Sequence, residues 1–258
     1  MATILFNEIV FGPIKSRRLG SSLGVNLLPK FGKWCSFDCI YCECGWNKDG
    51  KKDTTLPAKE EVYQALSDRL HELSKEGMPV DTITFSGNGE PTMHPAFAEI
   101  IEFTLQLRDK LYPSAKVSVL TNATQLGRKE VRDALQKIDN PILKIDSPIE
   151  ELVQAINIPN QAYSLSQTIE NIKLFNHNFI LQTMFLKGVV DGKAIDCTDV
   201  THVEKWRDLV RELAPREVMM YTIDRETPAK DLQKVTVEQM QAIAAPLVAE
   251  GFNIQIRG

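Results

Sequence analysis

Cysteine is scarce in this chain: five among 258 residues, four of them between Cys35 and Cys44. An odd, clustered set excludes a small scaffold stapled by paired disulfides. No apolar run approaches the about 18 residues that span a bilayer, so no transmembrane helix is expected. The first residues, MATILFNEIVFGPIKSRR, lack a basic segment followed by an apolar stretch and a small-residue cleavage site. That absence argues against a secretory signal and makes a cytoplasmic address the expectation. Positive charge is not in excess, with 30 Lys and Arg against 34 Asp and Glu and a net charge of −4. A broad nucleic-acid-binding face, which needs a basic surface, is disfavoured. No linker, low-complexity tract or composition break divides the chain, so residues 1–258 are expected to form one domain.

What is present is an alternation of short β-branched runs and longer amphipathic stretches. GVNLL (24–28), DTITFSG (81–87), KVSVLTN (116–122), ILKIDS (142–147), FILQTMFLKG (179–188) and EVMMYTID (217–224) read as strands, and FNIQIRG (252–258) as a short final one. Between them lie helical stretches. Pro57 to Lys75 repeats Val62, Leu66, Leu70 and Leu73 on one face, and Pro95 opens a second helix. Arg128 to Ile138, 149–157, 164–176, 201–214 and 236–250 follow. Six strand–helix units with crossovers of this length imply parallel pairing, in an open doubly wound sheet or a barrel. Six units are fewer than the eight of the common closed barrel. In both architectures ligands gather at the carboxyl ends of the strands, where the cysteine loop, GNGEPT, TNAT, KIDSPIE and YTIDRETP fall.

In a reducing compartment, clustered cysteines bind metal or perform chemistry. Zinc sites usually take their ligands from two separated turns, whereas the next cysteine beyond this cluster, Cys197, is 153 residues past Cys44. A redox pair at Cys39 and Cys42 lacks an evident thioredoxin-like context. The spacing of three and then two intervening residues suits an iron–sulfur cube, three corners of which one loop can wrap. Cys197 reads as a buried core residue and Cys44 as lining the loop. Local basic clusters, Lys15, Arg17 and Arg18 and then Lys48, Lys51 and Lys52, form either a solvated rim or a mouth for an anionic substrate.

Cys35-x3-Cys39-x-Tyr41-Cys42 after a first strand, with Gly87-Asn88-Gly89-Glu90-Pro91 after the second, resembles the radical S-adenosylmethionine (radical SAM) superfamily. FGPIKSRRLGSSLGVNLLP, SGNGEPTMHP and TIDRETPAKDLQKVT further resemble its Fe–S oxidoreductase group, related to the tRNA wyosine-base synthases. No cysteine precedes residue 35, whereas the wyosine enzymes carry an N-terminal set for a second cluster, so the wyosine reaction does not transfer with the likeness. The resemblance implies an α/β fold, a partial (β/α)6 barrel of parallel strands. It implies a [4Fe–4S] cluster on Cys35, Cys39 and Cys42, which cleaves S-adenosylmethionine reductively to a 5′-deoxyadenosyl radical. That radical abstracts hydrogen from a substrate, which is a small molecule, a protein, or a tRNA or modified nucleoside. An electron donor such as flavodoxin or ferredoxin is implied as a partner. A glycyl-radical-enzyme activase is the second enzymatic reading, and a non-catalytic zinc-binding module the reading from another class.

By the same likeness, Gly87, Asn88, Gly89 and Glu90 meet the methionine end of the cofactor and Tyr41 the adenine. Asn122 and Asp146, ending the third and fourth strands, meet the ribose or carboxylate, or else cap the helices that follow. On the fifth strand Gln182 and Lys187 break an apolar run and are expected to face the cavity, Gln182 toward the cofactor. Lys187, Asp224 and Arg225 are the candidate catalytic residues on the substrate side. His94 is expected to cap or face solvent, and His71, His177 and His202 carry no assigned role.

Overall fold

A computed structural model describes residues 4–16, 19–50 and 53–258. Arg17, Arg18, Lys51 and Lys52 of the basic clusters lie outside the described residues. The chain runs β1 (Val10–Ser16), β2 (Gly20–Val25), α1 (Lys59–Lys75), β3 (Thr82–Phe85), α2 (Phe97–Leu111), β4 (Lys116–Thr121) and α3 (Lys129–Lys137). It continues with β5 (Asn140–Lys144), α4 (Glu150–Asn157), α5 (Leu165–Lys173), β6 (Ile180–Met184), β7 (Leu186–Val190) and β8 (Lys193–Asp196). The last elements are α6 (Val200–Leu213), β9 (Glu217–Tyr221), β10 (Leu232–Lys234), α7 (Val237–Ala249) and β11 (Ile254–Arg257).

Eight strands form one sheet in the order β1-β2-β3-β4-β5-β6-β9-β11. From β2 to β11 every neighbour is parallel, and β1 folds back antiparallel on β2. The period-two alternation explains how this sheet serves two surfaces. Leu23, Val25, Leu181 and Met220 point to the helical layer and are fully buried. Their neighbours Ser22, Gly24, Gln182, Met219 and Tyr221 line a cavity on the other face. Because residues from β2 through β11 share that cavity, the sheet curls around it as a partial barrel. The helices cover the convex face with the stripes read from sequence. On α1, Val62, Leu66, Leu70 and Leu73 are buried, each worth about 1.5–3 kcal/mol of apolar transfer. Among the described residues, no helix is long and apolar enough to cross a membrane.

Two expectations shift in detail. The first strand is Gly20–Val25 rather than 24–28, and it forms a hairpin with β1, whose Gly12 and Pro13 mask its strand character. The run 179–188 is not one strand. It breaks at Phe185, and Leu186–Val190 leaves the main sheet for a three-stranded antiparallel sheet in the order β10-β7-β8. Met184, Phe185 and Leu186 are all buried across the break, so hydrophobicity alone carries no mark of it.

Candidate active site

The long connection after β2 carries the cysteines, and two elements hold it. On one side it is zipped to the glycine turn after β3: Trp34 N donates to Asn88 O (2.8 Å) and Glu90 N to Trp34 O (3.1 Å). On the other it docks on the end of α4, through Asp38 N to Asn157 O and Ile40 N to Ile156 O (both 2.9 Å). The glycine turn requires its glycines. Gly87 and Gly89 both have φ of +136°, and a Cβ on Gly89 would lie 2.0 Å from Trp34 O.

The turn's polar side chains face inward. The Asn88 amide binds Phe6 through N and O and donates to Pro29 O (2.7 Å), clamping the N-terminal segment and the start of the loop. The Glu90 carboxylate is buried and accepts from Thr92 N (3.1 Å), the Thr92 hydroxyl, the Thr121 hydroxyl (2.7 Å) and Asn122 N (2.7 Å). Burial raises its pKa and these donors oppose the rise. Asn122 turns its amide the other way, donating to Ser36 Oγ (2.9 Å) and, at 3.6 Å, to Cys35 Sγ. It is not a helix cap, because α3 starts only at Lys129.

Around Cys39 the donors converge from the far strands. Lys144 Nζ stands 3.6 Å from Cys39 Sγ, 2.7 Å from the Tyr41 hydroxyl and 2.9 Å from Asp146 Oδ2. Asn157 Nδ2 donates to Cys39 Sγ (3.3 Å) and to the same carboxylate oxygen (2.6 Å). The Tyr41 hydroxyl also donates to Asp146, and Met184 N reaches the other oxygen at 3.1 Å. Asp146 is therefore fully engaged, and α4 takes Ile149 as its cap residue instead. A second buried lysine, Lys33, donates to Gly45 O (2.8 Å) and Asp38 (3.2 Å). Burial works against its charge, yet the sulfurs of Cys42, Cys35 and Cys39 hold its pKa well above the usual lysine value.

The thiols divide accordingly. Burial pushes Cys35 and Cys39 up, opposed chiefly by Lys33 and Lys144 respectively. Cys42 is pulled down to about 6 by the adjacent Cys44 thiol and, against burial, by Lys33. Cys44 is raised in turn, and its thiol reaches Gly87 O at 3.4 Å. Among the described residues, no three His, Cys, Asp or Glu side chains are arranged to hold a single metal ion. Three cysteines in one loop, with the Lys144 ammonium and two amide N–H groups aimed at Cys35 and Cys39 and the Lys33 charge nearby, instead form a set whose donors and charges offset part of the cost of burying thiolates.

The cavity beside them measures about 470 Å³. Tyr41, Cys42 and Glu43 form one end, Leu120, Ile142 and Met219 an apolar base, and the stacked rings of Phe6 and Phe11 one wall. Gln182 faces in, as do Asp224 and Arg225 at the rim, with Arg225 paired to Glu43 at 2.6 Å. Lys187 does not share this site. It sits on β7 in the smaller sheet and faces Asp196 at 3.4 Å, because the strand that was expected to aim it inward ends at Met184. Gly87, Asn88, Gly89, Glu90, Asn122 and Asp146 form a layer behind the cysteines rather than the cavity lining. His94 is buried, accepts from Ala96 N (3.1 Å) and reaches Pro57 O (2.9 Å), a local structural role.

The family described as the Radical SAM superfamily matches residues 30–199. The chain belongs to the radical SAM superfamily. It is 30% identical over 243 residues to the UPF0026 protein of Methanocaldococcus jannaschii, covering 92% of this chain and 70% of that protein. The crystal structure of Streptococcus suis SuiB bound to S-adenosylmethionine superposes with a TM-score of 0.63 at 14% identity over 88% of this chain. The chain spans 49% of that structure, about half its length. Archaeal TYW1 superposes with a TM-score of 0.54 at 12% identity, covering 88% of this chain and 71% of that one. At these identities the two superpositions speak for the fold. Membership makes the protein a radical SAM enzyme, with S-adenosylmethionine and an iron–sulfur cluster implied as its cofactors. Three cysteines in one loop, with N–H donors reaching Cys35 and Cys39, fit that donor chemistry.

Lys33, Lys144 and Asn157 escape the sequence reading. For Lys144 a signal exists, since it lies two residues before Asp146 on a strand and so shares its face. For Lys33, buried beside a loop, and Asn157, at a helix end, none exists.

Proposed function

We propose that Cys35, Cys39 and Cys42 bind a single [4Fe–4S] cluster and that S-adenosylmethionine occupies the cavity next to it, with Tyr41 and Gln182 on its wall. Bound there, the reduced cluster supplies the electron that cleaves S-adenosylmethionine to methionine and a 5′-deoxyadenosyl radical. The observation that carries this reading is the placing of Cys42 at the end of the cavity, beside Tyr41. Gly87, Asn88, Gly89 and Glu90 serve by holding the cysteine loop, and Glu90 acts through Asn122 rather than through the methionine end of the cofactor. The substrate enters at the rim formed by Asp224 and Arg225, and it is a small molecule, a protein, or a tRNA or modified nucleoside. An electron carrier such as flavodoxin or ferredoxin reduces the cluster. The chain works as one domain in the cytoplasm.

No observation favours a glycyl-radical activase or a zinc module over this reading. The deciding experiment is anaerobic reconstitution followed by iron, sulfide and zinc analysis, then incubation with dithionite and S-adenosylmethionine. About four irons per chain and release of 5′-deoxyadenosine are expected. One zinc per chain with neither iron nor sulfide overturns the reading.

A further inference from the structure

We propose that Lys144 is a positioning residue that holds the Cys39 corner of the cluster and sets its reduction potential through its charge. The inference rests on the cluster reading above and extends it to a residue outside the cysteine motif.

An ammonium group has three N–H donors. Those of Lys144 have three partners within reach: Cys39 Sγ at 3.6 Å, the Tyr41 oxygen at 2.7 Å and Asp146 Oδ2 at 2.9 Å. With these made, none remains for a substrate or cofactor. The nitrogen lies 5.6 Å from the Phe37 ring centroid and 5.2 Å from that of Tyr41, so two aromatic faces flank the cation. Its side chain is 14% exposed and that of Asp146 is 0% exposed. A buried ion pair of this kind is seldom worth its desolvation for stability alone. Here the pair does something an apolar pair could not: it fixes a positive charge against one thiolate ligand.

Asp146 is in turn anchored by Asn157 and Met184 N, from two other elements. Asn157 also touches Cys39 Sγ, so the network grips the sulfur from two directions. A cluster taking up one electron becomes more negative, and a fixed cation beside its ligand favours that state. Hydrogen bonds and charge at ligand sulfurs are among the levers that set such potentials. Removing the charge should make the cluster harder to reduce.

The test is an EPR-monitored redox titration of the reconstituted protein without S-adenosylmethionine, with dithionite as the electron source. Wild type is compared with Lys144→Gln and Lys144→Arg. In Lys144→Gln the ratio of reduced to oxidised cluster at a fixed potential should fall at least tenfold, a shift of about 59 mV to more negative values for a one-electron couple. Lys144→Arg should stay near wild type. An unchanged potential in Lys144→Gln overturns the proposal, as does an equal shift in both variants. Weakened binding of S-adenosylmethionine at unchanged potential overturns it too, by making the lysine a cofactor contact. If Lys144→Gln assembles no cluster, the iron content of Lys144→Arg decides: retention supports the charge, and loss from both overturns it. Failure of wild type to assemble a cluster counts against the underlying reading instead.

Discussion

The two sides of the half-barrel treat their polar groups in opposite ways. On the cysteine side Asn88, Glu90, Asn122 and Asp146 are all at most 5% exposed and hydrogen-bonded within the protein. On the late side Asp224 and Arg225 sit at an open rim, where the Arg225–Glu43 pair has side chains 57% and 41% exposed. The early strands build a finished socket whose strand-end residues serve the loop that carries the cysteines. The late strands leave groups at the surface, where a substrate can reach them. Polar residues at strand ends are thus not equivalent, even where a superfamily fold suggests a common duty.

The sharpest way to break this comparison is to attack the cysteines. Cys39→Ala should abolish the cluster, and Cys44→Ala should retain it, both read by iron and sulfide content. Loss on Cys44→Ala with retention on Cys39→Ala reverses the ligand assignment. Glu90→Ala comes next, since it leaves the buried donors of Thr92, Thr121 and Asn122 without their acceptor. Each unsatisfied donor costs about 1–3 kcal/mol, so a clear fall in thermal midpoint is expected, together with weaker cluster retention. If the fold holds and calorimetry finds only a loss of S-adenosylmethionine affinity, Glu90 belongs to the cofactor site.

Gly89→Ala sharpens the same side through the backbone. Its positive φ alone costs about 1–3 kcal/mol for a residue with a side chain, before the contact with Trp34 O is relieved. Its expected signature is poor iron incorporation in a protein whose far-ultraviolet circular dichroism is preserved. On the open side, Arg225→Ala should change stability by less than about 1 kcal/mol, as exposed ion pairs do. Product formation with substrate present should suffer more than abortive cleavage of S-adenosylmethionine, and the reverse outcome would move Arg225 to the cofactor. The smallest effect belongs to Lys187→Ala, which should leave 5′-deoxyadenosine release unchanged. A large loss there would restore Lys187 to the site from which the second sheet removes it.

Much of this architecture is legible before folding is considered. The helical stripe Val62, Leu66, Leu70, Leu73 and the β-branched runs forecast which faces are buried, because periodicity is a property of the local backbone. The Cys35, Cys39, Cys42 spacing is legible for the same reason: a single loop sets how far apart its own sulfurs can stand. The strand break at Phe185 is not, since an apolar run reads alike whether it continues in one sheet or passes into another. The partners of Glu90 are not legible either, since Thr121 and Asn122 lie 31 and 32 residues away.

By itself, then, the sequence determined the alternation of strands and helices, the spacing of Cys35, Cys39 and Cys42 and the turn glycines, all of which depend on covalent spacing and backbone conformation. Only the tertiary structure decided where the strand-end side chains point. Curling the sheet brings Lys144 to Cys39 across 105 residues and Asn157 to the same sulfur across 118. It turns Glu90 into the wall and carries Lys187 away. Such pairings follow from packing and burial, which no local spacing encodes.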